Sequence, residues 1–342
     1  MKKEFMTVPH FLGDGKISTK EQEIPKPEDN QLLIQAKSNL LCGSDRNQFY
    51  NGSKIIPGHE GAGIIVDKGK NAKFEIGMRG AIYLYDYCGE CRNCKISATN
   101  QCLSKRAEPG FTVDGAYSQY YVINDNIFFP VDDDIDIINA SLLLDVMGTG
   151  GHATKRAQLI HKDIQSLLIN GAGPIGLGLL AMSKLTFSKD IPVVINDVIS
   201  SRLLLAEKMG GLPIDLSQKN LQEGLNYYGI KNPDVAIDAT GKTIARKNAL
   251  DLLAKRGVLV LVGNGEGLEF EQYPDMGSKE RSILGSEYFS YNELEGNHQL
   301  LKNNQEYLSQ IITHKYPIDE IQNAYDHFFS TDSNAGKIAV YQ

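Results

Sequence analysis

Residues 167–182, LLINGAGPIGLGLLAM, consist of a short apolar run, a glycine-rich turn and a second apolar run. The turn, Gly171-Ala172-Gly173-Pro174-Ile175-Gly176, matches the pattern G-x-G-x-x-G. Its glycines allow a sharp strand-to-helix turn, let a pyrophosphate approach the backbone, and let the helix pack closely on the strand. Because the pattern follows a strand-like run and opens a helix-like one, it predicts a dinucleotide-binding turn rather than an ordinary tight turn.

An acidic residue is expected about 20 residues after such a turn, at the end of the second strand. Asp197 lies 21 residues after Gly176. A carboxylate there accepts hydrogen bonds from ribose hydroxyls and repels a 2′-phosphate, which favours NAD over NADP. Arg202, five residues further on, leaves NADP as the alternative coenzyme. The alternative for Asp197 itself is a solvated turn residue.

The segments around the turn alternate between strand-like and helix-like patterns. The predicted strands are 166–170, 192–196, 234–238, 258–262 and 282–285, and the predicted helices are 171–185, 200–209 and 244–255. This alternation predicts a doubly wound parallel sheet.

The upstream part of the chain has a different pattern. Short apolar runs separated by Gly, Pro and Asn predict a compact, barrel-like β domain. These runs are 32–36, 63–66, 81–85 and 117–123. A helix is predicted at 318–329, in a tail that is expected to fold back on the first domain. We therefore expect the sheet domain, 148–285, to be inserted between residues 1–147 and 286–342 of the other domain.

Four of the five cysteines are spaced C-x2-C-x2-C-x7-C, at Cys88, Cys91, Cys94 and Cys102. Four thiolates form a closed tetrahedral zinc site of the structural type. The spacing therefore favours a structural zinc lobe at 86–103, with a disulfide knot or a redox pair as the alternatives. A nucleic-acid-binding zinc ribbon would instead use two separated C-x2-C pairs.

The fifth cysteine, Cys42, lies in a second group of residues that can bind a metal. It is followed by Gly43-Ser44-Asp45, and the triplet Gly58-His59-Glu60 comes later in the chain. A site of cysteine and histidine with an open position is typical of catalytic zinc. The sequence therefore predicts two zinc ions per chain, one structural and one catalytic.

The composition excludes several classes of partner. The net charge is −7 and the pI is near 5.6, which makes nucleic acid and anionic membranes unfavourable partners. No apolar run is long enough to cross a bilayer, and the first five residues lack the apolar core of a signal peptide. Cysteines crowded at metal-type spacing indicate a reducing compartment, so a cytoplasmic location is expected.

Over its whole length the chain resembles the zinc-containing medium-chain dehydrogenase/reductase superfamily. The segment Gly58-His59-Glu60-Gly61-Ala62-Gly63, with Gly69 after it, is similar to the zinc signature of this family, and the cysteine lobe and the glycine turn follow in the family's order. The resemblance implies a Rossmann doubly wound parallel sheet inserted in a GroES-like β-barrel catalytic domain.

The resemblance also implies roles for individual residues. Cys42 and His59 would be ligands of the catalytic zinc, and Glu60 would lie beside the metal, where its carboxylate can replace bound water. The third ligand in this family is Cys or Glu, and the matching position here is Asp145. The alternative for Asp145 is a helix cap or a buried salt-bridge partner. Thr149 is expected to line the nicotinamide pocket.

Ser44 would take the proton of the substrate hydroxyl, with an ordinary turn serine as the alternative. Many relatives have His at the position of Asn47 to pass this proton to solvent, and Asn cannot titrate. The sequence Asp45-Arg46 and a carboxylate third ligand favour polyols, sugars or cyclitols.

The implied activity is hydride transfer between a secondary alcohol and a nicotinamide cofactor, with a simple secondary alcohol or a threonine-type substrate as the alternative. A non-catalytic redox sensor that binds zinc and nucleotide is the alternative from another class. A homotetramer or homodimer is expected.

Overall fold

The computed structural model describes residues 4–330 and 333–342 of the chain. The chain divides into two compact units, one formed by residues 1–144 and 290–342 and the other by residues 145–289. The boundaries expected from the sequence, after residues 147 and 285, lie a few residues away from these. Within the described residues, no helix has both the length and the apolar character needed to cross a membrane.

The first part of the first unit is rich in short strands. They are β1 (Phe5–Gly13), β2 (Lys16–Glu23), β3 (Gln31–Leu40), β4 (Gly61–Lys68), β5 (Arg79–Ile82), β6 (Tyr120–Asn124) and β7 (Phe128–Pro130). The helices of this part are α1 (Arg46–Asn51), α2 (Arg92–Lys95) and α3 (Ile137–Ala140). Strands β1 and β2 form an antiparallel hairpin whose turn contains Gly13 and Gly15, both with positive φ.

The second unit is a parallel sheet covered by helices. Its strands are β8 (Leu167–Asn170), β9 (Val193–Asp197), β10 (Leu212–Asp215), β11 (Val235–Asp238), β12 (Val258–Leu261) and β13 (Ser282–Gly285). Its helices are α4 (Gly150–Ile160), α5 (Pro174–Thr186), α6 (Ser200–Lys208), α7 (Leu221–Tyr227) and α8 (Thr243–Leu252). The order β10-β9-β8-β11-β12-β13 is that of a Rossmann sheet, so the predicted sheet is confirmed.

One strand and two helices of this sheet unit were absent from the sequence prediction. Strand β10 is short, contains Pro213 and buries only Ile214, because it lies at the edge of the sheet. Helix α7 packs on β10, and α4 precedes the first strand of the sheet. Edge strands bury few residues, so their apolar pattern is weak.

The chain then returns to the first unit. It adds α9 (Glu293–Asn303), α10 (Gln305–Ser309), β14 (Ile312–Pro317), α11 (Ile321–Phe329) and β15 (Lys337–Tyr341). Strand β15 pairs antiparallel with β3, and the sheet order is β14-β15-β3-β4-β5-β7, with β6 also paired to β3. The predicted tail helix, 318–329, begins three residues later as an α-helix, after one 3-10 turn.

Two predicted strands of the first unit are displaced. The strand expected at 81–85 is β5, which begins two residues earlier, at Arg79, and ends at Ile82. The strand expected at 117–123 is β6, which begins at Tyr120, since Tyr117 belongs instead to an apolar core with Phe11 and Tyr325.

Candidate metal and coenzyme sites

Strand pairing in the first unit brings the predicted metal ligands together. Strands β3 and β4 are antiparallel, with Asn39 opposite Gly61. Cys42 follows the end of β3, and Glu60 immediately precedes β4, so the antiparallel register places the two segments side by side. The backbone N–H of Glu60 donates to Asn39 Oδ1 over 2.9 Å, which fixes the start of β4. His59 and Glu60 are both buried.

Asp145 completes this group. It is joined by a peptide bond to Leu144, the last residue of this stretch of the first unit, and it opens a π-helical turn, Asp145–Thr149. One ligand atom from each of Cys42, His59, Glu60 and Asp145 lies within 4.8 Å of the others. A thiolate, an imidazole and carboxylates at this separation fit zinc, which accepts sulfur, nitrogen and oxygen ligands.

Asp45 lies behind the histidine of this group. Its Oδ1 is 3.2 Å from His59 Nδ1, and its carboxylate has no solvent exposure. Its Oδ2 also accepts hydrogen bonds from the Cys42 N–H and the Tyr325 hydroxyl, each over 3.2 Å. A carboxylate at Nδ1 holds the imidazole in the tautomer that leaves Nε2 for a metal. Nothing in the sequence signalled this contact, and Asp45 entered the prediction only as part of the ligand loop and of the substrate-class argument.

Glu60 forms a buried ion pair with Lys337, and neither side chain has solvent exposure. The Lys337 ammonium also donates to the Leu41 carbonyl over 3.0 Å. Lys337 is the first residue of β15, and the pairing of β15 with β3 brings it to the metal-ligand group. Lys337 was not among the predicted site residues, because nothing near it in the sequence marks it.

Ser44 and Phe111 lie at the same group. Ser44 Oγ is 3.4 Å from His59 Nε2, and Ser44 itself is exposed. The Phe111 ring centroid is 4.7 Å from that of His59. If a metal were bound at this nitrogen, the exposed Ser44 hydroxyl would lie next to any further ligand of that metal. Phe111 was not predicted, since a single aromatic residue in a loop carries no sequence signal.

The four cysteines of the lobe also come together, at one short segment of the first unit. Their sulfur atoms all lie within 4.8 Å of one another, and the Cys91–Cys94 and Cys88–Cys102 sulfur pairs are each 3.5 Å apart. These separations exceed a disulfide bond length of about 2.05 Å, so no disulfide joins them. The arrangement fits the tetrahedron of four thiolates that binds structural zinc.

Backbone N–H groups of the lobe point at the sulfur atoms. The N–H groups of Glu90 and Cys91 lie 3.4 and 3.3 Å from Cys88 Sγ. These bonds lower the pKa of the Cys88 thiol, and the Leu103 and Cys94 N–H groups lower the pKa of Cys91 to about 6. Burial instead raises the pKa of Cys94 to about 12. The tight spacing thus stabilises thiolates at two of the four positions.

The glycine turn of the second unit has the geometry its pattern requires. Gly171 has φ +93°, and a Cβ on Gly176 would lie 1.8 Å from the Gly171 carbonyl oxygen. Helix α5 begins at Pro174, and Ile175 follows it in the first helical turn, so the N-terminal N–H groups of α5 adjoin the turn. A Cβ at Gly173 would have open space apart from the Arg202 guanidinium, 3.8 Å away. Such an open turn at a helix N-terminus fits a bound pyrophosphate.

Asp197 ends β9 directly beside this turn. Its Oδ2 accepts the Ala172 N–H over 2.7 Å, and its Oδ1 accepts the Val198 and Ile199 N–H groups over 2.7 and 3.1 Å. Three backbone donors therefore fix the carboxylate at the end of the second strand, where a ribose is bound in a Rossmann sheet. Thr149 is buried, and α4, which follows it, packs closely on α5.

Comparison with known proteins identifies the family. Residues 28–133 match the alcohol dehydrogenase GroES-like domain, and residues 149–334 match the glucose dehydrogenase C-terminus. An L-threonine 3-dehydrogenase of Alteromonas mediterranea is 30% identical over 93% of this chain and 95% of its own length. The chain belongs to the zinc-containing medium-chain dehydrogenase/reductase superfamily. The resemblance stated from the sequence is confirmed, and so is the GroES-like and Rossmann fold.

Two further proteins are similar to this chain over at least nine-tenths of its length. An L-galactonate-5-dehydrogenase of Escherichia coli K12 is 31% identical over 90% of this chain and 90% of its own. A solved structure described as a short chain alcohol dehydrogenase (rspB) from E. coli CFT073, complexed with NADH, is 25% identical. It superimposes with a TM-score of 0.89 and covers 99% of both chains.

Membership of this superfamily establishes the class of reaction. The chain is a zinc-dependent oxidoreductase of the alcohol and polyol dehydrogenase class, with a secondary alcohol as its small-molecule substrate and a nicotinamide dinucleotide as its coenzyme. The activity predicted from the sequence is confirmed at this level, and the alternative of a non-catalytic sensor is not supported.

Proposed function

We propose that the first unit is the catalytic domain of an NAD-dependent dehydrogenase and that the second unit is its coenzyme domain. The observation that carries this proposal is the group of Cys42, His59 and Asp145, which offers one thiolate, one imidazole and one carboxylate, beside the exposed hydroxyl of Ser44. Zinc bound there supplies a Lewis acid that lowers the pKa of an alcohol hydroxyl. The four-cysteine lobe holds a second, structural zinc.

The side chains around this group handle the proton and the charge. Ser44 accepts the proton of the substrate hydroxyl, because a serine hydroxyl both donates and accepts hydrogen bonds. Asn47 Oδ1 accepts a 2.6 Å hydrogen bond from Asn51, and neither amide titrates, so the proton passes from Ser44 to water. Asp45 keeps His59 in its metal-binding tautomer. Lys337 balances the charge of Glu60 and so prevents a second uncompensated carboxylate at the metal.

We propose NAD as the coenzyme, because a carboxylate stands where the adenosine ribose is bound. The three backbone N–H groups that hold Asp197 keep its charge beside the glycine turn. A 2′-phosphate would meet that charge at close range. Among the described residues at this turn, Arg202, near Gly173, is the one feature that would favour NADP. We assign its guanidinium to the pyrophosphate instead.

For the substrate, we propose a polyol, a sugar or a hydroxy acid derived from one. L-threonine and L-galactonate, named for two relatives, each carry a secondary alcohol on a carbon chain that ends in a carboxylate. A threonine-type substrate is the second candidate, supported by the similarity to the L-threonine 3-dehydrogenase.

The assembly and location also remain proposals. Strand β13 ends the sheet, so its outer edge is available to pair with a second copy, and we propose a dimer or tetramer built on this edge. We propose a cytoplasmic location, since the five cysteines form no disulfide with one another and need a reducing compartment to act as metal ligands.

The test is NADH formation followed by ultraviolet absorbance, with a panel of polyols, sugars, hydroxy acids and L-threonine. We expect turnover with at least one secondary alcohol, loss of turnover after chelation, and recovery with added zinc. NADP should support at least tenfold lower kcat/KM than NAD, and Asp197→Ser should narrow that difference. Tight NADH binding with no turnover of any alcohol would contradict the proposed dehydrogenase activity. Equal use of NAD and NADP would contradict the proposed preference for NAD.

A further inference from the structure

Arg46 is an exposed cation at the start of α1. Within residues 4–330 and 333–342, no Asp or Glu oxygen lies within 4.0 Å of its guanidinium, and its side chain is exposed. Arg106 and Arg246, by contrast, each bind a buried aspartate, at 2.6 and 2.8 Å. The charge of Arg46 is therefore available to a ligand.

Two aromatic rings hold the Arg46 guanidinium in place. Its central carbon lies 4.8 Å from the ring centroid of Tyr50 and 5.5 Å from that of Phe329. The two rings themselves pack 6.0 Å apart, and Phe329 also stacks on the buried Phe49 ring. Stacking on rings restrains the plane of a guanidinium while its N–H groups stay open to other partners.

Arg46 shares a cavity with the proposed proton acceptor. An open cavity of 470 Å³ is lined by Gly43, Ser44, Arg46, Asn47, Tyr50 and Asn51. Ser44 connects this cavity to the metal-ligand group, because its hydroxyl lies 3.4 Å from His59 Nε2. All the other lining side chains are neutral, so a substrate whose hydroxyl reaches Ser44 has one fixed positive charge nearby.

We propose that Arg46 binds a carboxylate of the substrate, so that the substrate is a hydroxy acid rather than a neutral polyol or sugar. The planar fork of a guanidinium matches the two oxygens of a carboxylate, and a restrained fork loses less freedom on binding. This inference rests on the proposed function, since it requires a secondary alcohol at Ser44. The phosphates of the coenzyme are the other source of negative charge, but the glycine turn at 171–176 already offers them a helix N-terminus.

The test compares matched acids and alcohols that differ only in the carboxylate. Galactonate with galactitol, and gluconate with glucitol, are assayed with the zinc-loaded enzyme and with Arg46→Gln, which removes the charge and keeps most of the length. We expect Arg46→Gln to raise KM for the acids about 10- to 100-fold and to change KM for the neutral partners less than threefold. Arg46→Lys, which keeps the charge without the fork, should recover part of the loss. Arg256→Gln, at an exposed arginine of the second unit, is the matched control and should change neither.

Two binding measurements separate the possible causes. Calorimetric binding of galactonate and gluconate to the zinc-loaded NADH complex should weaken in Arg46→Gln, while the Kd of NADH should stay within twofold of the wild type. A weaker NADH affinity with equal effects on acids and polyols would assign Arg46 to a coenzyme phosphate and overturn the inference. A wild-type preference for the neutral member of both pairs would also overturn it. Arg46-dependent binding of the acids without turnover of any alcohol would leave the anion site standing and contradict the proposed function instead.

Discussion

The two metal-ligand clusters of the first unit are built in opposite ways. The lobe takes all four ligands from one segment of fifteen residues, Cys88 to Cys102, and backbone N–H groups of that segment bind the sulfur atoms. The other cluster takes its ligands from three separate segments, at Cys42, at His59 and Glu60, and at Asp145. Local chain geometry is thus enough to bring the four cysteines of the lobe together. The other group, here called the mixed cluster, comes together through strand pairing.

The charges around the two clusters differ as well. The lobe presents four thiols and no carboxylate among its ligands. The mixed cluster has two carboxylates, with the ammonium of Lys337 paired to Glu60 and the carboxylate of Asp45 beside His59. A zinc ion with four thiolate ligands has no coordination position left for a substrate. A zinc ion with mixed ligands, whose charges are balanced by neighbouring side chains, can keep one position open. The two clusters thus differ both in their ligand types and in the charges around them, as the proposed structural and reactive roles require.

Removing one ligand from each cluster should have the largest effect and tests whether the two clusters are independent. Cys42→Ala should abolish the reactive site and lower kcat about 10⁴-fold, since the Lewis acid supplies several kcal/mol of the rate enhancement. Metal analysis should show one zinc retained per chain. The matched variant Cys91→Ala should lose the other zinc and lower thermal stability, while properly folded protein keeps turnover within about threefold. Loss of both zincs in either variant would show that the clusters are not independent.

The same contrast explains which parts of the site could be predicted from the sequence. The lobe and the glycine turn are local patterns, so the spacing of Cys88 to Cys102 and of Gly171 to Gly176 was enough to assign them. Lys337 and Tyr325 reach the mixed cluster only through the return of the chain, and β15 pairs with β3 across about three hundred residues of sequence. No local pattern encodes such a pairing.

Asp45 shows a different limit of the sequence. The sequence marked the residue only as part of the ligand loop and of Asp45-Arg46, whereas its buried carboxylate lies 3.2 Å from His59 Nδ1. Its position three residues after Cys42 lets its carboxylate accept the Cys42 N–H, which turns it inward. The strand β10 was missed for a simpler reason, since an edge strand with Pro213 buries too little to give a pattern.

The buried pair of Lys337 and Glu60 is the next feature to test. Lys337→Met should remove the ammonium that pairs with the buried Glu60 carboxylate, and breaking a buried pair in this way lowers the free energy of unfolding by about 3–5 kcal/mol. Chemical denaturation of the zinc-loaded protein measures the change. The double variant Lys337→Met with Glu60→Gln should recover most of the stability, because the buried carboxylate charge is then removed together with the ammonium. If the double variant is no more stable than the single one, the lysine acts through packing and not through its charge.

The smallest expected effect concerns the carboxylate behind the histidine. Asp45→Asn keeps the size of the side chain and an acceptor for the Tyr325 hydroxyl, but it removes the negative charge 3.2 Å from His59 Nδ1. Loss of such a partner lowers metal affinity about 10- to 100-fold. Competition with a chelator should therefore release the reactive zinc at lower chelator concentration, while the lobe keeps its zinc.

The lobe offers a matched control for this variant. Asp86 is also a buried carboxylate beside a cluster, but its partners are Arg106 and Asn124 rather than a metal-binding side chain. Asp86→Asn should lower stability without changing the chelator concentration that releases the reactive zinc. If Asp86→Asn and Asp45→Asn released that zinc equally easily, the effect of Asp45 would be general destabilisation. A selective effect of Asp45→Asn would instead mean that the metal affinity of His59 depends on a charge that does not belong to a ligand. The four thiolates of the lobe would need no such charge.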